Sequence, residues 1–435
     1  MSALLRLRTP ILALGQTPGA STSSSAVRGF HASTALLAGG KKGTTKAGKK
    51  PAGGKKAQKI GGKNNVKRQT KESSGPKRAE AHSVIKVEHP LFQSHVGERK
   101  LPVYTPEDLT PEAVGKAMAF STGAHSPIQA FGMPKTMKKE FLHSGQAFSI
   151  VRSSTLNLLD ELDRFTGAPA SAVEGESSHN ASNRLVLTGP SGCGKSMLLL
   201  QAVNYCAQNG WIVYYVPHGI DWVNATSPYG FDYRSQLFHQ HALASDALAK
   251  MLKVNGSKIT QLKLSKDVPV PGGKPGTLLT AGTSLETLAQ YGVKDPLLAP
   301  QTLVLLMQEL GKQTTYPVLL AVDDFQALYN KSVYRDPQFK PVSSYHLSMP
   351  RLILEYASGK RQLARGAVLG ALSSTNTTYP VIEPLREALG LPLEGGVAIS
   401  PYDKQGNSYK EFTTGLRSIA VPQQFSVAEA AAFLE

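Results

Sequence analysis

The stretch RLVLTGPSGCGKSMLLLQAVNYCA, residues 184–207, decides the fold. RLVLT is a short β-rich run. After it, Leu198, Leu199, Ala202, Val203 and Cys206 fall on one helical face. Between them lies GPSGCGKS, residues 189–196, which satisfies G-x-x-x-x-G-K-[ST]. A strand, a glycine-rich turn and a helix are the context in which that pattern wraps nucleotide phosphates. Gly189 and Gly194 let the backbone turn tightly, so that its N–H groups face an anion. Pro190, Ser191, Gly192 and Cys193 complete the loop. Lys195 is the cation for the β- and γ-phosphates, and Ser196 offers a hydroxyl to Mg2+. The new helix turns its positive end to the same charge. Cys193 has two readings, a spacer that contributes its backbone or a redox-active thiol, and the loop needs only the first.

Working outward, WIVYYV (211–216) is the next buried strand, with its aromatics in the core. PVLLAVDDF (317–325) is an apolar run that ends in Asp323 and Asp324. A buried parallel strand ending in a carboxylate is the partner a phosphate loop requires. Asp323 then holds Mg2+, usually through water, and Asp324 is the candidate catalytic group that orients an attacking water. The alternative is that the two acids cap a helix. AVLGALSSTN (367–376) is a further core strand. At its end Thr375 or Asn376 has either a γ-phosphate-sensing role or ordinary turn chemistry. Helical spacing is expected over 150–165 and over 298–311, the latter closing on Gly311.

These elements define the fold class: α/β, a P-loop NTPase of AAA+-like type with a parallel sheet and flanking helices, spanning 150–400. An insertion with extended pieces is expected near 253–297, because Val268-Pro269-Val270-Pro271 forbids a helix there. Residues 86–149 read as an extended N-terminal arm, and 401–435 as the start of a C-terminal helical region, with a helix beginning near Ser426.

The formal charge of +17 over 435 residues is unevenly spread. Residues 1–71 hold 15 of the 48 Lys and Arg and no Asp or Glu, so the remainder is close to neutral. Residues 1–30 have arginines, Ser and Thr, near-helical Leu and Ile, and no acid, the composition of a mitochondrial transit peptide. Residues 31–85 form a Lys-rich tail with too little apolar surface to offset its ordering entropy. Such a tail is either a solvated spacer or a sequence-blind partner of a polyanion such as RNA. It lacks Phe, Tyr and Trp, so base stacking is not its mode. Two cysteines make no disulfide framework, and no run of 18 apolar residues proposes a membrane span.

FGMPKTMKKEF (131–141), the block from RLVLTGPSGCGKS through Asp221-Trp222-Val223, and PVLLAVDDFQALY together resemble the death-associated protein 3 family. These are the GTP-binding proteins of the mitochondrial small ribosomal subunit, and the likeness, of fungal type, covers roughly 86–435. The resemblance implies GTP or GDP ahead of ATP, with Mg2+. It implies partnership with mitochondrial small-subunit rRNA and neighbouring ribosomal proteins, a matrix location and a part in mitochondrial translation. No guanine-specificity motif such as N-K-x-D carries that choice. Where AAA+ motors usually have Asp-Glu this chain has Asp323-Asp324, and no arginine finger is assignable, which favours slow or absent hydrolysis. The competing readings are an active AAA+-type NTPase that remodels a client or nucleic acid, and a nuclear chromatin-associated ATPase, which the leader opposes.

Overall fold

The computed structural model describes residues 101–167, 183–270, 278–374, 376–392 and 407–434. The expected transit peptide and Lys-rich tail lie outside the described residues, as do Thr375, residues 86–100 of the expected arm and 271–277 of the expected insertion. Among the described residues no helix is long and apolar enough to cross a membrane.

The described part of segment 86–149 is folded, where the sequence suggested an extended arm. β1 (Ala117–Ala119), α1 (Pro127–Phe131), α2 (Lys135–Ser144) and β2 (Phe148–Ile150) follow one another, and β2 pairs antiparallel with β1. Pro127 opens α1, Pro134 precedes α2, and the left-handed Gly145 ends it. The prolines that read as breakers are therefore helix starts. Burial of Tyr104, Met118, Phe120, Ile128 and Phe131 anchors the segment. Each large apolar side chain withdrawn from water stabilises by about 1.5–3 kcal/mol. Phe131 packs 6.4 and 6.3 Å from the rings of Tyr214 and Tyr215.

α3 (Ser153–Asp163) buries Leu158, Leu159 and Leu162, as its spacing predicts. β3 (Arg184–Thr188), α4 (Lys195–Gln208) and β4 (Ile212–Val216) come next, and β4 is buried on both faces. The hairpin of β5 (Gly230–Asp232) and β6 (Leu237–His239) leads into α5 (His241–Gln261). Half of the described part of the expected insertion is helical: α5 runs through 253–261, and α6 (Leu285–Lys294) packs against it. Only the proline-rich centre is extended, as β7 (Val268–Pro269) paired with β8 (Leu278–Leu279). α7 (Ala299–Lys312) continues through Gly311 instead of stopping there. A Cβ on Gly311 would lie 2.8 Å from the Gln362 carbonyl oxygen, so this glycine serves close packing.

β9 (Val318–Val322), the hairpin of β10 (Lys331–Arg335) and β11 (Pro341–Ser343), α8 (Ser348–Ala357) and β12 (Gly366–Ala371) complete the central region. α9 (Glu383–Ala388), α10 (Asn407–Lys410), β13 (Arg417–Ala420) and α11 (Val427–Leu434) follow. Five strands form one parallel sheet in the order β13-β3-β12-β9-β4, so the α/β expectation holds. Near-continuous apolar runs suit strands covered on both faces. The C-terminal segment corrects the expected boundary. Its β13 is the edge strand beside β3, so the sheet extends past residue 400, and only α11 matches the helix foreseen near Ser426.

Candidate nucleotide site

Register brings the site together. Ala371 of β12 is level with Leu187 of β3, and Val322 of β9 is level with Gly370 of β12 and Val216 of β4. The loop after β3, the two acids after β9 and the residues after β12 therefore emerge at one edge of the sheet. That is the carboxyl end, where parallel sheets place their ligands.

Gly189, Gly192 and Gly194 all have positive φ, and Lys195 is the first residue of α4. Gly189 admits no side chain on a second count: a Cβ would lie 2.7 Å from the Val421 carbonyl oxygen. Lys195 is buried, and its Nζ donates to the carbonyls of Gly189 (2.9 Å) and Pro190 (2.6 Å). Cys193 is buried, and its carbonyl accepts from Arg152 Nη1 at 3.0 Å. The loop thus uses the backbone of Cys193, which fits the spacer reading. Arg152 also donates to the carbonyls of Pro422 and Gln424, clamping the 422–424 segment to the back of the loop.

Ser196 Oγ donates to Asp323 Oδ1 at 3.0 Å, so the two residues expected at Mg2+ are in direct contact. Asp323 is 2% exposed. Burial and the adjacent Asp324 charge push its carboxyl up to about 7, against the opposing hydrogen bonds from Ser196 and the Asp324 N–H. A buried carboxylate beside a second acid favours a cation next to it. Among the described residues no cluster of three or more His, Cys, Asp or Glu could hold a metal. A cation here would draw further ligands from phosphate and water, as Mg2+ does. The donor set therefore fits an Mg2+-nucleotide.

Asp324 departs from the simple expectation. It is a non-glycine residue in the left-handed region (φ 53°, ψ 40°), and its carboxylate is taken by His218 Nδ1. That contact raises the His218 pKa, while burial and Lys135 of α2 oppose it. The Gly219 N–H donates to the Asp323 carbonyl (2.9 Å), so the loops after β4 and β9 are joined. Sequence reasoning missed His218. It lies two residues beyond β4 on the ligand edge of the sheet, a position that marks it only once the strand order is known. At the end of β12, Asn376 accepts the Thr378 N–H at 2.9 Å, which is turn chemistry, and Ser373 and Ser374 are the residues that reach the cleft.

Two clefts flank the loop. One of about 300 Å³ is lined by Lys195, Ser196, Ser373 and Ser374, with Thr136 and Glu140 of α2 opposite. The other, about 380 Å³, lies behind the loop and is mainly apolar, with Ile150, Met197, Val421 and Phe425 in its wall and Glu140, Arg152, Gln201 and Gln423 among its polar groups. Gly192, Gly194, Met197 and Glu140 belong to both. A polar cleft joined to an apolar one has the chemistry of a phosphate subsite beside a base subsite.

The model of a family described as "Mitochondrial ribosomal death-associated protein 3" matches residues 149–435. The chain is similar to "Small ribosomal subunit protein mS29" of Schizosaccharomyces pombe, 28% identical over 306 residues, covering 67% of this chain and 60% of that protein. The protein of the same name in Neurospora crassa is 24% identical, covering 61% and 52%, and that in Bos taurus is 23% identical, covering 61% and 64%. The match thus spans less than two thirds of each relative's length.

Proposed function

From the premise that this chain belongs to the mitochondrial ribosomal death-associated protein 3 family, we propose that it is a protein of the mitochondrial small ribosomal subunit that grips a guanine nucleotide and Mg2+ as a structural brace. Its location is the mitochondrial matrix, on the ribosome, among small-subunit rRNA and neighbouring ribosomal proteins, where it contributes to translation. The observation that carries the nucleotide part is the contact between Ser196 and Asp323 beside the loop that ends in Lys195. The five-stranded parallel sheet, with the loop after β3 and the acids after β9 on one edge, supports a P-loop NTPase core of AAA+-like type.

In that site the loop N–H groups from Ser191 to Ser196 would bind the phosphates, and Lys195 would exchange its two carbonyl partners for them. Ser196 and Asp323 hold Mg2+, which when bound neutralises phosphate charge. The apolar cleft takes the base. Asp324 is tied to His218, so the reading assigns it to positioning the loop after β4, and rapid hydrolysis is not expected.

The test is sedimentation of tagged full-length protein from mitochondria in Mg2+. Wild type should travel with small subunits, and Lys195→Ala should be depleted there by at least severalfold. Wild type remaining with free matrix protein would overturn the ribosomal reading. Full incorporation of Lys195→Ala with an empty site would overturn the brace.

A further inference from the structure

The opposite, amino-terminal edge of the parallel sheet holds a third cleft, of about 540 Å³. Its walls are the turn after α3, the start of β3, the connection from α8 to β12, and the start of β13. Five guanidiniums line it, those of Arg164, Arg184, Arg361, Arg365 and Arg417, and Glu161 is the single acid among the described lining residues. β3 separates this edge from the phosphate loop by about 16 Å at the usual rise per residue, so the two sites are distinct.

Among the described residues, local pairing does not neutralise Arg164, Arg361, Arg365 and Arg417. Glu161 accepts from both Arg164 (3.0 Å) and Arg417. Arg361 donates to Glu355 (2.6 Å), which is shared with Arg351 (2.7 Å). Arg365 spends its donors on the neutral carbonyls of Thr166, Thr314 and Thr315. Leaving Arg184 aside, two carboxylates among the described residues therefore face four lining guanidiniums. Arg417 Nε is buried and has no hydrogen-bond partner among the described residues. The backbone is shaped around the charge as well: a Cβ on Gly359 or Gly415 would collide with the Arg184 guanidinium. Holding the turns after α3 and α7 accounts for Arg365 but not for this excess.

We infer that the arginine-lined cleft binds the phosphodiester backbone of RNA. A guanidinium presents a planar fork that meets phosphate oxygens in pairs, and a row of them matches the succession of phosphates along a strand. The excess charge comes from the cleft itself, while the choice of RNA over an acidic peptide rests on the ribosomal reading above.

The test is fluorescence anisotropy of a labelled oligouridylate with full-length protein over a salt series. It compares wild type, Arg164→Gln/Arg361→Gln and the charge-conserving Arg164→Lys/Arg361→Lys. Cations elsewhere in the chain contribute equally to all three, so the differences read the cleft. The Gln pair should bind about tenfold more weakly at physiological salt. Its log–log salt slope should fall by roughly 0.7 for each phosphate that is no longer neutralised, and the Lys pair should keep most of the slope. GTP affinity should be the same in all three, and its absence in wild type would count against the phosphate loop and not against this cleft. Equal affinities and slopes for wild type and the Gln pair, or displacement by oligoglutamate at lower concentration than by unlabelled oligouridylate, would overturn the inference.

Discussion

Asp323 shows how one residue can be unfavourable alone and useful in company. Burial, reinforced by the Asp324 charge, lifts its carboxyl to about 7, far above the value of about 3.9 for an unfolded Asp. A raised carboxyl stabilises the fold fully below the unfolded value, and that contribution is lost as pH rises through the folded one. Nucleotide-free protein should therefore gain from Asp323→Asn at pH 8, with a Tm about 2–4 °C above wild type, and much less at pH 5. The same variant should lose Mg2+-dependent nucleotide binding by more than tenfold. Thermal melts at both pH values, with and without Mg2+-GTP, check both halves. A variant less stable than wild type at both values would show that the carboxylate is structural. The loop was legible in the sequence at this scale because each of its residues answers to the needs of an anion. His218 was not, because its role comes from Asp324, which is distant in sequence and meets it only once β4 and β9 pair.

At the scale of elements, α11 is tied to the site by a carboxylate. Ser426 and Glu429 form a capping box, with the Ser426 N–H donating to Glu429 Oε2 at 2.8 Å and the Glu429 N–H donating to Ser426 Oγ at 3.2 Å. Glu429 Oε1 also accepts from the N–H (2.7 Å) and hydroxyl (3.0 Å) of Ser153, at the start of α3. Burial alone would raise the Glu429 carboxyl, but the hydrogen bonds from Ser426 and Ser153 and the Arg152 charge outweigh it and hold the group below its usual value. A lowered carboxyl stabilises above the unfolded value and loses that contribution as pH falls through the folded one. Glu429→Gln should cost about 1–3 kcal/mol at pH 7, with the gap closing below pH 4. Denaturant melts across pH measure it, and a pH-independent gap would refute the assignment. The S-x-x-E start of α11 was readable from sequence because its partners are three residues apart. The α1 and α2 pair was not, since prolines at helix starts look the same as prolines in a loop. β13 was also missed, because an edge strand of half-buried and exposed residues lacks the apolar run that marks β4 and β9.

For the whole molecule, the proposed nucleotide site is where separate parts of the chain converge. α2 and the end of β2 come from before the phosphate loop, the ends of β9 and β12 from the centre, and residues 421–425 from near the C-terminus. A ligand held there at a thousandfold over its dissociation constant would add about 4 kcal/mol to the folded state. The sequence announced the phosphate loop and the acids but not this convergence, which depends on strand order. The most direct measurement is to purify the protein in Mg2+ throughout, denature it and identify the nucleotide released. About one guanine nucleotide per chain is the result expected. A supernatant without nucleotide, or one carrying adenine nucleotide in its place, would contradict the account.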